Sequence, residues 1–206
     1  MAPISSVVFD LGGVLIDWNP RHLYRRLFRG DEQAMEDFLQ NICTSSWNEM
    51  LDAGQSFDEG VSLLQERHPE HRNLIAAYRD HWEEMIPGPI EGGPELLREV
   101  KETGVSVYAL SNWSAETYPI AEKRFDFLGW FDDVVISGRL GIKKPDPAIF
   151  EYLMNRQDLR PDSTLFIDDS EVNVAAAERL GLATHHFRSI GALRSVLVRR
   201  GVLMDD

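Results

Sequence analysis

Short runs of apolar residues alternate along the chain with stretches in which apolar positions recur at helical spacing. Five of these runs predict β-strands, at residues 5–10, 105–110, 133–137, 164–168 and 182–187. Each run is short and almost wholly apolar, which is typical of strands in a parallel sheet covered on both faces. The alternation of strands and helices therefore predicts an α/β domain with a doubly wound, Rossmann-like parallel sheet.

Residues 17–88 interrupt this alternation, because they contain several helical patterns and no convincing strand. Asn19-Pro20 predicts the start of the first of these helices, and Pro87, Gly88 and Pro89 mark the end of the stretch. We interpret residues 17–88 as a small helical cap inserted after the first strand. The α/β core then comprises residues 1–16 and 89–206.

The length and charge of the chain limit the possible partners. A chain of 206 residues suits one large domain, or one domain with a smaller insert, and 43% hydrophobic residues are enough for a full core. The 21 basic and 34 acidic residues give a net charge of −13, which disfavours nucleic acid and anionic membranes as partners. A small anionic substrate would need cations placed locally at its site.

Cysteine usage and the absence of targeting patterns predict the compartment. Cys43 is the single cysteine, so the chain forms no internal disulfide, which fits a reducing environment. The first ten residues lack the basic and apolar regions of a signal peptide, and no run approaches the ~18 apolar residues of a membrane span. We expect a soluble, cytoplasmic protein, and the oligomeric state stays open.

Reactive polar residues follow the predicted strands at the edge where α/β sheets bind ligands. They are Asp10 after the first strand, Ser111 and Asn112 after the second, Lys144 beyond the third, and Asp168 and Asp169 after the fourth. Taken singly, each has an ordinary structural explanation as a turn former, a helix cap or a solvated lysine. Their conjunction at one edge of a parallel sheet favours a functional site.

Electrostatics indicates what such a site would hold. Two carboxylates ~4 Å apart repel each other by about 4 kcal/mol at an effective dielectric constant of 20. Three crowded acids therefore require a cation, and Mg²⁺ suits them because it accepts a few carboxylates and shares its other positions with water and phosphate. Lys144 supplies a second positive charge, so the acidic chain would contain a local anion site.

Four ordered motifs carry a resemblance to a known family. They are Phe-Asp-Leu-Gly-Gly-Val at 9–14, Leu-Ser-Asn at 110–112, Gly-Ile-Lys-Lys-Pro-Asp-Pro-Ala-Ile-Phe at 141–150, and Phe-Ile-Asp-Asp-Ser-Glu-Val-Asn at 166–173. In this order they resemble the signatures of the haloacid dehalogenase superfamily of hydrolases. One motif alone is weak evidence, whereas four in the correct order are highly specific.

The resemblance implies roles for residues around the phosphoryl group. Asp10 would be the nucleophile and also a metal ligand. Ser111 would donate a hydrogen bond to the transferring phosphoryl group, with Asn112 assisting in the same loop. Lys144 would pair with both the nucleophile and the phosphoryl oxygens. The implied reaction is hydrolysis of a small phosphate monoester through an aspartyl-phosphate on Asp10.

The resemblance also implies a magnesium site, with Asp169, and Asp168 beside it, holding the ion together with Asp10. The backbone carbonyl of Gly12 would complete the protein ligands. Most phosphatases of the superfamily carry a second aspartate at the position of Gly12, as general acid and base, and this chain does not. Such a group typically contributes ~10²–10⁴-fold, so the proton carrier is in question.

The Asp-Leu-Gly-Gly pattern is similar to a branch that includes bacterial α-D-glucose-1-phosphate phosphatase, which shares the glycine. The helical insert is similar to the small cap that follows the first signature in one branch, the C1-capped enzymes. These similarities point to sugar phosphates as one substrate class. They do not single out one compound.

Three other functions remain open. A 2-haloacid dehalogenase also uses an aspartate nucleophile and lacks the second aspartate, but similar enzymes replace the acid pair that Asp168 and Asp169 form here. A regulatory module that binds phosphate but turns it over poorly would fit the glycine at position 12. A phosphoryl transferase or mutase would use the same nucleophile with another acceptor.

Aromatic and basic residues of the insert are further candidates. Trp113 follows Ser111-Asn112 directly and is the best candidate to contact substrate; Trp18, Trp47 and Trp82 either line the pocket or pack the insert against the core. The four arginines of the first helix are more typical of a solvated face than of a phosphate site; they are Arg21, Arg25, Arg26 and Arg29. We expect His185-His186 to pack or to face water rather than to bind a metal, and Cys43 to pack.

Overall fold

The computed structural model describes residues 3–204, and its centre is a five-stranded parallel sheet. The strands lie in the order β3-β2-β1-β4-β5. They are β1 (Ser6–Phe9), β2 (Ser106–Ser111), β3 (Asp133–Ile136), β4 (Thr164–Asp168) and β5 (Ala183–His186). The predicted doubly wound α/β fold is confirmed, and each predicted strand overlaps an observed one with ends within one residue.

Helices follow the strands and cover both faces of the sheet. They are α6 (Gly93–Glu102), α7 (Tyr118–Arg124), α8 (Ser137–Leu140), α9 (Pro147–Gln157), α10 (Glu171–Arg179) and α11 (Ile190–Arg199). Their starts follow the sequence signals: Asp146 caps α9 by accepting a 2.9 Å hydrogen bond from the Ala148 amide, and Pro147 occupies the first turn.

Five helices lie between β1 and α6. They are α1 (Pro20–Leu27), α2 (Glu32–Asn41), α3 (Ser45–Asp52), α4 (Phe57–Arg67) and α5 (Arg72–Asp80). Asn19 caps α1 as predicted, accepting a 3.0 Å hydrogen bond from the Arg21 amide. Across the described residues, 3–204, no helix combines the length and the apolar character that crossing a bilayer requires.

The helical insert leaves and rejoins the sheet domain through two chain segments that run side by side. Ile16 and Pro89 form an antiparallel bridge. The Asp17 amide donates to the Gly88 carbonyl at 3.0 Å, and the Ile90 amide donates to the Leu15 carbonyl at 2.9 Å. Backbone hydrogen bonds therefore fix the entrance and exit of the insert close to Asp10.

The two faces of the sheet bury different side chains, as alternation along a strand requires. On one face, Val8, Leu110 and Phe166 pack against α9 and α10. On the other face, Phe9 and Ile167 belong to a larger cluster that extends into the insert, where it includes Tyr24 and other apolar residues of α1–α5. The insert is thus packed against the sheet domain through a continuous apolar core.

Strand register brings the ends of three neighbouring strands level. Phe9 pairs with Ala109 on one side and with Ile167 on the other. The next residue of each strand is therefore at the same height, which places Asp10 between Leu110 and Asp168. The parallel arrangement directs these residues, and the loops after them, to one edge of the sheet.

Adjacent leucines in α4 test the contribution of this core. Leu64 is buried in the larger apolar cluster, whereas Leu63 is 42% exposed. We expect Leu64→Ala to lower the free energy of unfolding by about 2–5 kcal/mol, because it leaves a cavity. Leu63→Ala should change it by about 0.5 kcal/mol or less. Urea denaturation measures both, and equal effects would contradict the described packing of α4.

Candidate active site

A buried ammonium group lies at the centre of the site. The Lys144 side chain is fully buried, and its Nζ lies 2.7 Å from Asp168 Oδ2, 3.0 Å from Asp10 Oδ1 and 2.7 Å from the Leu110 carbonyl. Burial lowers the pKa of Lys144, but the carboxylates of Asp10 and Asp168 more than offset this and raise it. Lys144 is therefore not a solvated surface residue, which is the ordinary explanation for a lysine at this position taken singly.

Asp10 directs one carboxylate oxygen to the protein and leaves the other accessible. Oδ1 accepts a 2.7 Å hydrogen bond from the Leu11 amide and forms the ion pair with Lys144. Oδ2 receives no hydrogen bond from any residue that the structure describes. Burial raises the pKa of Asp10 to about 7, with Lys144 opposing the shift and Asp168 adding to it. The arrangement holds one oxygen and presents the other to the cavity.

Asp168 is fully buried, and protein groups occupy its acceptor positions. Oδ2 accepts from Lys144 Nζ, and Oδ1 accepts from the Ser170 amide at 2.8 Å. The Asn173 side-chain amide lies 3.1 Å from both oxygens. A carboxylate has about four acceptor positions, so this one is saturated. The geometry suits Asp168 to holding Lys144 in place, and its role as a direct metal ligand stays a prediction.

Asp169 is exposed and completes a cluster of acids. One carboxylate oxygen from each of Asp10, Asp168 and Asp169 lies within 4.8 Å of the others. Burial and the neighbouring Asp168 raise the pKa of Asp169, whereas Lys144 opposes the shift. Three carboxylates face a single ammonium, so the cluster retains negative charge. Hard oxygen ligands with uncompensated charge are the donor set that Mg²⁺ prefers.

Gly13 makes room for this cluster. Its φ of +74° lies in the left-handed region that favours glycine. A Cβ atom there would overlap Asp169 Oδ2 and would lie 2.8 Å from Asp169 Cγ. At Gly12, by contrast, a Cβ atom would meet only Trp18 Cβ at 3.7 Å, an ordinary contact. Close approach of Asp169 to the loop after β1 therefore depends on Gly13.

The loop after β2 is tied to the loop that carries Lys144. The Asn112 side chain accepts a 2.8 Å hydrogen bond from the Lys144 amide and donates a 2.9 Å hydrogen bond to the Lys144 carbonyl. This pair of bonds orients the backbone from which the lysine side chain enters the site. Ser111 is buried at the end of β2 and lines the same cavity as Asp10.

A cavity of about 630 Å³ lies over this edge of the sheet, between the strand ends and the insert. Trp18, Trp82 and Trp113 line it. Trp113 also packs against Trp82, with ring centroids 5.7 Å apart, and its Nε1 donates to Thr117 Oγ1 at 3.1 Å. Trp47 packs against Tyr78 inside the insert instead, so its interpretation as a packing residue is confirmed.

Three of the four arginines expected in the first helix lie in α1 and are paired with acids of the insert, whereas Arg29 lies beyond the end of α1. Arg21 lines the cavity, but its guanidinium binds both carboxylate oxygens of Glu36. Arg25 pairs with Glu32, and both are exposed. Arg26 pairs with Glu84 across the insert. These contacts make a structural role for the arginines the better explanation.

Two further sequence candidates have structural roles. Cys43 is buried in the apolar core, and burial raises the pKa of its thiol to about 12. His186 Nε2 lies 2.8 Å from the Asp169 carbonyl, and Arg188 lies 3.2 Å from its other ring nitrogen. His186 therefore supports the loop after β4 from the edge strand.

Sequence reasoning missed a polar group on the insert side of the cavity. Asp52 Oδ2 accepts a 2.8 Å hydrogen bond from Asn48 Nδ2, and Asn48 Oδ1 accepts one of 2.8 Å from the Tyr78 hydroxyl. All three residues line the cavity. The available signal was the Asn-x-x-x-Asp spacing, which places both side chains on one face of α3. Asn173, inside the fourth motif, was also given no role.

Burial raises the pKa of Asp52 to about 7, and the nearby Glu49 adds to the shift. Lys143, the Ser114 backbone amide and Asn48 oppose it. Lys143 is itself paired with Glu49 at 3.1 Å. The Asp52 carboxyl group is therefore a weakly neutralised acid at the boundary between insert and sheet domain.

Comparison with known proteins identifies the family. The family model for haloacid dehalogenase-like hydrolases matches residues 4–181. The chain belongs to the haloacid dehalogenase-like hydrolases. This agrees with the resemblance carried by its four motifs, and it makes the protein an enzyme of the hydrolase class.

Two curated relatives of this hydrolase are named phosphatases. Sesquiterpene phosphatase astK of Aspergillus oryzae is 27% identical over 183 residues, covering 88% of this chain and 89% of that protein. Pyrophosphatase PpaX of Bacillus cereus is 25% identical over 190 residues, covering 88% and 82%. The chain thus matches these relatives along most of their length.

A solved structure shares the fold of this hydrolase. A HAD family enzyme from Bacteroides thetaiotaomicron superposes with a TM-score of 0.75 at 21% identity, covering 95% of this chain and 99% of that one. The same enzyme in complex with magnesium and inorganic phosphate superposes with a TM-score of 0.69 at 23% identity, covering 91% and 96%. At this identity, the likeness shows the fold alone.

Substitution of Gly13 tests the packing of Asp169 against the loop after β1. We expect Gly13→Ala to reduce phosphate-ester hydrolysis by about 100-fold or more, because the methyl group displaces Asp169, and displacements of about 1 Å have such effects. Gly30→Ala is the matched control: Gly30 has a φ of +85° and nothing within 4 Å of a Cβ atom. It should cost about 1–2 kcal/mol of stability and little activity. Equal activity losses in the two variants would contradict this account.

Asp52 predicts a specific pH dependence of stability. Its pKa is about 7 in the folded protein and about 3.9 in unfolded chains, so the folded state binds the proton more tightly. The folded state therefore loses stability as pH rises through this interval. Asp52→Asn removes the effect, so its melting temperature relative to wild type should increase from pH 5 to pH 8. Thermal denaturation checks this trend.

Asp37→Asn, which changes an exposed carboxylate on α2, is the control for that measurement. Its melting temperature should differ from that of wild type by a nearly constant amount over the same pH range. A constant difference for Asp52→Asn as well would show that Asp52 does not titrate in this interval in the folded protein.

Proposed function

We propose that this hydrolase is a magnesium-dependent phosphatase that cleaves a small phosphate monoester, with Asp10 as the covalent nucleophile. The observation that carries the proposal is the orientation of Asp10, whose Oδ1 is held by Leu11 and Lys144 while Oδ2 is open to the cavity. The phosphatase names of the curated relatives support the same reaction.

In the first step, Asp10 Oδ2 attacks phosphorus, an O–P bond forms, and the bond to the ester oxygen breaks with its electron pair leaving on that oxygen. In the second step, water attacks the phosphorus of the aspartyl-phosphate and releases inorganic phosphate and the Asp10 carboxylate. Fixing Oδ1 orients the attacking oxygen before substrate arrives. Lys144 holds its positive charge beside the phosphoryl group throughout both steps.

Asp10 and Asp169, with the Gly12 carbonyl, would hold Mg²⁺, and Asp168 would support them through Lys144. When bound, Mg²⁺ offsets the charge that the carboxylates and the phosphate bring together. From the end of β2, the Ser111 hydroxyl would donate a hydrogen bond to a phosphoryl oxygen. Asn112 would assist by keeping the Lys144 loop in register with the Ser111 loop.

The leaving alkoxide and the attacking water need a proton carrier, and Gly12 offers none. We propose that solvent in the cavity supplies and removes these protons, which predicts slower turnover of poor leaving groups. A Cβ atom at position 12 would make only an ordinary contact with Trp18, so the packing around the backbone does not require glycine there.

We propose that residues 17–88 act as a cap that closes the cavity over the strand ends, and that the chain belongs to the branch with this small cap. Sugar phosphates of the kind cleaved by bacterial α-D-glucose-1-phosphate phosphatase are the substrate class that this branch suggests. A cavity of about 630 Å³ is large enough for a ligand of that size.

Replacement of the nucleophile tests the reaction. Asp10→Asn keeps the shape of the side chain but removes its negative charge, so magnesium-dependent release of phosphate from p-nitrophenyl phosphate should fall at least about a thousandfold. Mass spectrometry of rapidly quenched wild type should show a phosphate adduct on Asp10 that the variant lacks. Asp37→Asn is the control and should keep wild-type turnover.

Retained activity in Asp10→Asn would refute the covalent scheme. Release of chloride from 2-chloropropionate in the presence of a chelator, without phosphate release from any ester, would replace the phosphatase proposal with a dehalogenase. Binding of phosphate and magnesium without any turnover would indicate a regulatory module.

A further inference from the structure

The insert side of the cavity presents acceptors of hydrogen bonds. Asn48 is the only side chain among the described residues that donates a hydrogen bond to the Asp52 carboxylate. The Ser114 backbone amide also donates to this carboxylate. A carboxylate accepts about four hydrogen bonds, so these two donors leave Asp52 with acceptor capacity. Its backbone is also held, because the Ser137 hydroxyl donates to the Asp52 carbonyl at 2.5 Å. Asp52 is therefore an oriented acceptor.

Neighbouring groups fix the orientation of this acceptor. Asn48 is held through Oδ1 by the hydroxyl of Tyr78, which is fully buried. Tyr78 packs against Trp47 with ring centroids 4.9 Å apart. The amide of Asn48 is thus oriented with its donor toward Asp52. A side chain supported in this way from the apolar core has the rigidity of a recognition group.

Charge around the cavity limits the leaving group. Beyond the acids at the strand ends, the charged residues among the described ones that line it are Asp52 and Arg21, and the Arg21 guanidinium is occupied by Glu36. Within the described part of the chain, this lining offers no uncommitted cation to a second phosphate or a carboxylate. A leaving group with a further anionic group would meet Asp52 without compensation.

We infer that Asp52, held by Asn48, is the specificity-determining residue for the leaving group, and that it binds a hydroxyl group of a neutral, hydroxylated alcohol. The inference rests on the proposed phosphatase function. It assigns binding of the alcohol to the insert side of the same cavity. The phosphate would lie at Asp10 and Lys144, and the alcohol would extend toward α3. The aromatic rings of Trp18 and Trp82 would cover its apolar faces.

This assignment distinguishes the chain from its named relatives. A terpenoid alcohol has few hydroxyl groups and would leave the Asp52 carboxylate desolvated without a partner. Pyrophosphate would place a second phosphate on the insert side of the cavity, where the described lining residues offer no uncommitted cation to bind it. A hydroxylated monoester offers a hydroxyl group to the Asp52 carboxylate and brings no second anionic group.

Matched esters test the inference. The pairs are n-propyl phosphate with glycerol 1-phosphate, and cyclohexyl phosphate with myo-inositol 1-phosphate; the quantity is the ratio of kcat/KM between the hydroxylated and the unsubstituted ester. At pH 8, above the pKa of about 7 of Asp52, this carboxyl group is ionised. We then expect a wild-type ratio of about 10–100 in at least one pair, the size of one hydrogen bond to a charged group. Asp52→Ala should bring that ratio close to 1, and Asp52→Asn should give an intermediate value.

Asp37→Asn is the matched control and should keep the wild-type ratio. The measured quantity is a ratio of kcat/KM between two esters. A general loss of activity through altered packing lowers both values and therefore leaves the ratio unchanged. Asn48→Ala provides an independent test, since loss of the group that orients Asp52 should lower the same ratio even where Asp52→Ala fails to fold.

Two results would overturn the inference: a wild-type ratio of 1 or less, with farnesyl phosphate or pyrophosphate preferred, or a high ratio that Asp52→Ala leaves unchanged. Hydrolysis of p-nitrophenyl phosphate separates this failure from that of the proposed function. If wild type cleaves p-nitrophenyl phosphate without selecting hydroxylated esters, only the proposed role of Asp52 in leaving-group specificity is refuted. If it cleaves no ester, the phosphatase proposal falls as well.

Discussion

The site is organised around one ammonium group in a fully buried position. Lys144 donates to two carboxylates and a backbone carbonyl, which uses all three of its protons. Removing a charge from water costs several kcal/mol, and only a complete set of partners with good geometry offsets that cost. The ends of β1, β2 and β4 must therefore stay in register, because each contributes one partner of the lysine. The position of the Asp10 carboxylate and the packing of the sheet depend on the same contacts.

Two layers of support surround this ammonium group. From the loop after β2, the Asn112 side chain forms hydrogen bonds to both the amide and the carbonyl of Lys144. At the start of α10, the Ser170 amide and the Asn173 side chain donate hydrogen bonds to the Asp168 carboxylate. Such amide contacts restrict the rotamers of the charged groups without adding charge. The two acids of the fourth motif consequently have different surroundings: Asp168 is enclosed by protein donors, whereas Asp169 faces the cavity.

Much of the fold could be predicted from the sequence, because apolar runs bounded by glycine, proline and capping residues identify strands and helices locally. Parallel pairing then implied that Asp10, Lys144 and Asp169 converge, and their motifs supported this. Burial of Lys144 could not be predicted, since a lysine before proline has the same local pattern whether it is solvated or enclosed. Asp52 was missed for a related reason: its partners come from α3, α5 and the loop after β2, and only tertiary packing brings these together.

The paired crossing at Ile16 and Pro89 has a consequence for how such an enzyme can diversify. Because the chain leaves and returns through neighbouring backbone segments, a change within the insert leaves the connections of the strands in place, as long as the apolar contacts between insert and sheet are kept. The residues proposed to bind the alcohol can then be exchanged as one module, while the strand ends that carry the proposed catalytic residues keep their positions. A new specificity can thus arise without a new catalytic apparatus.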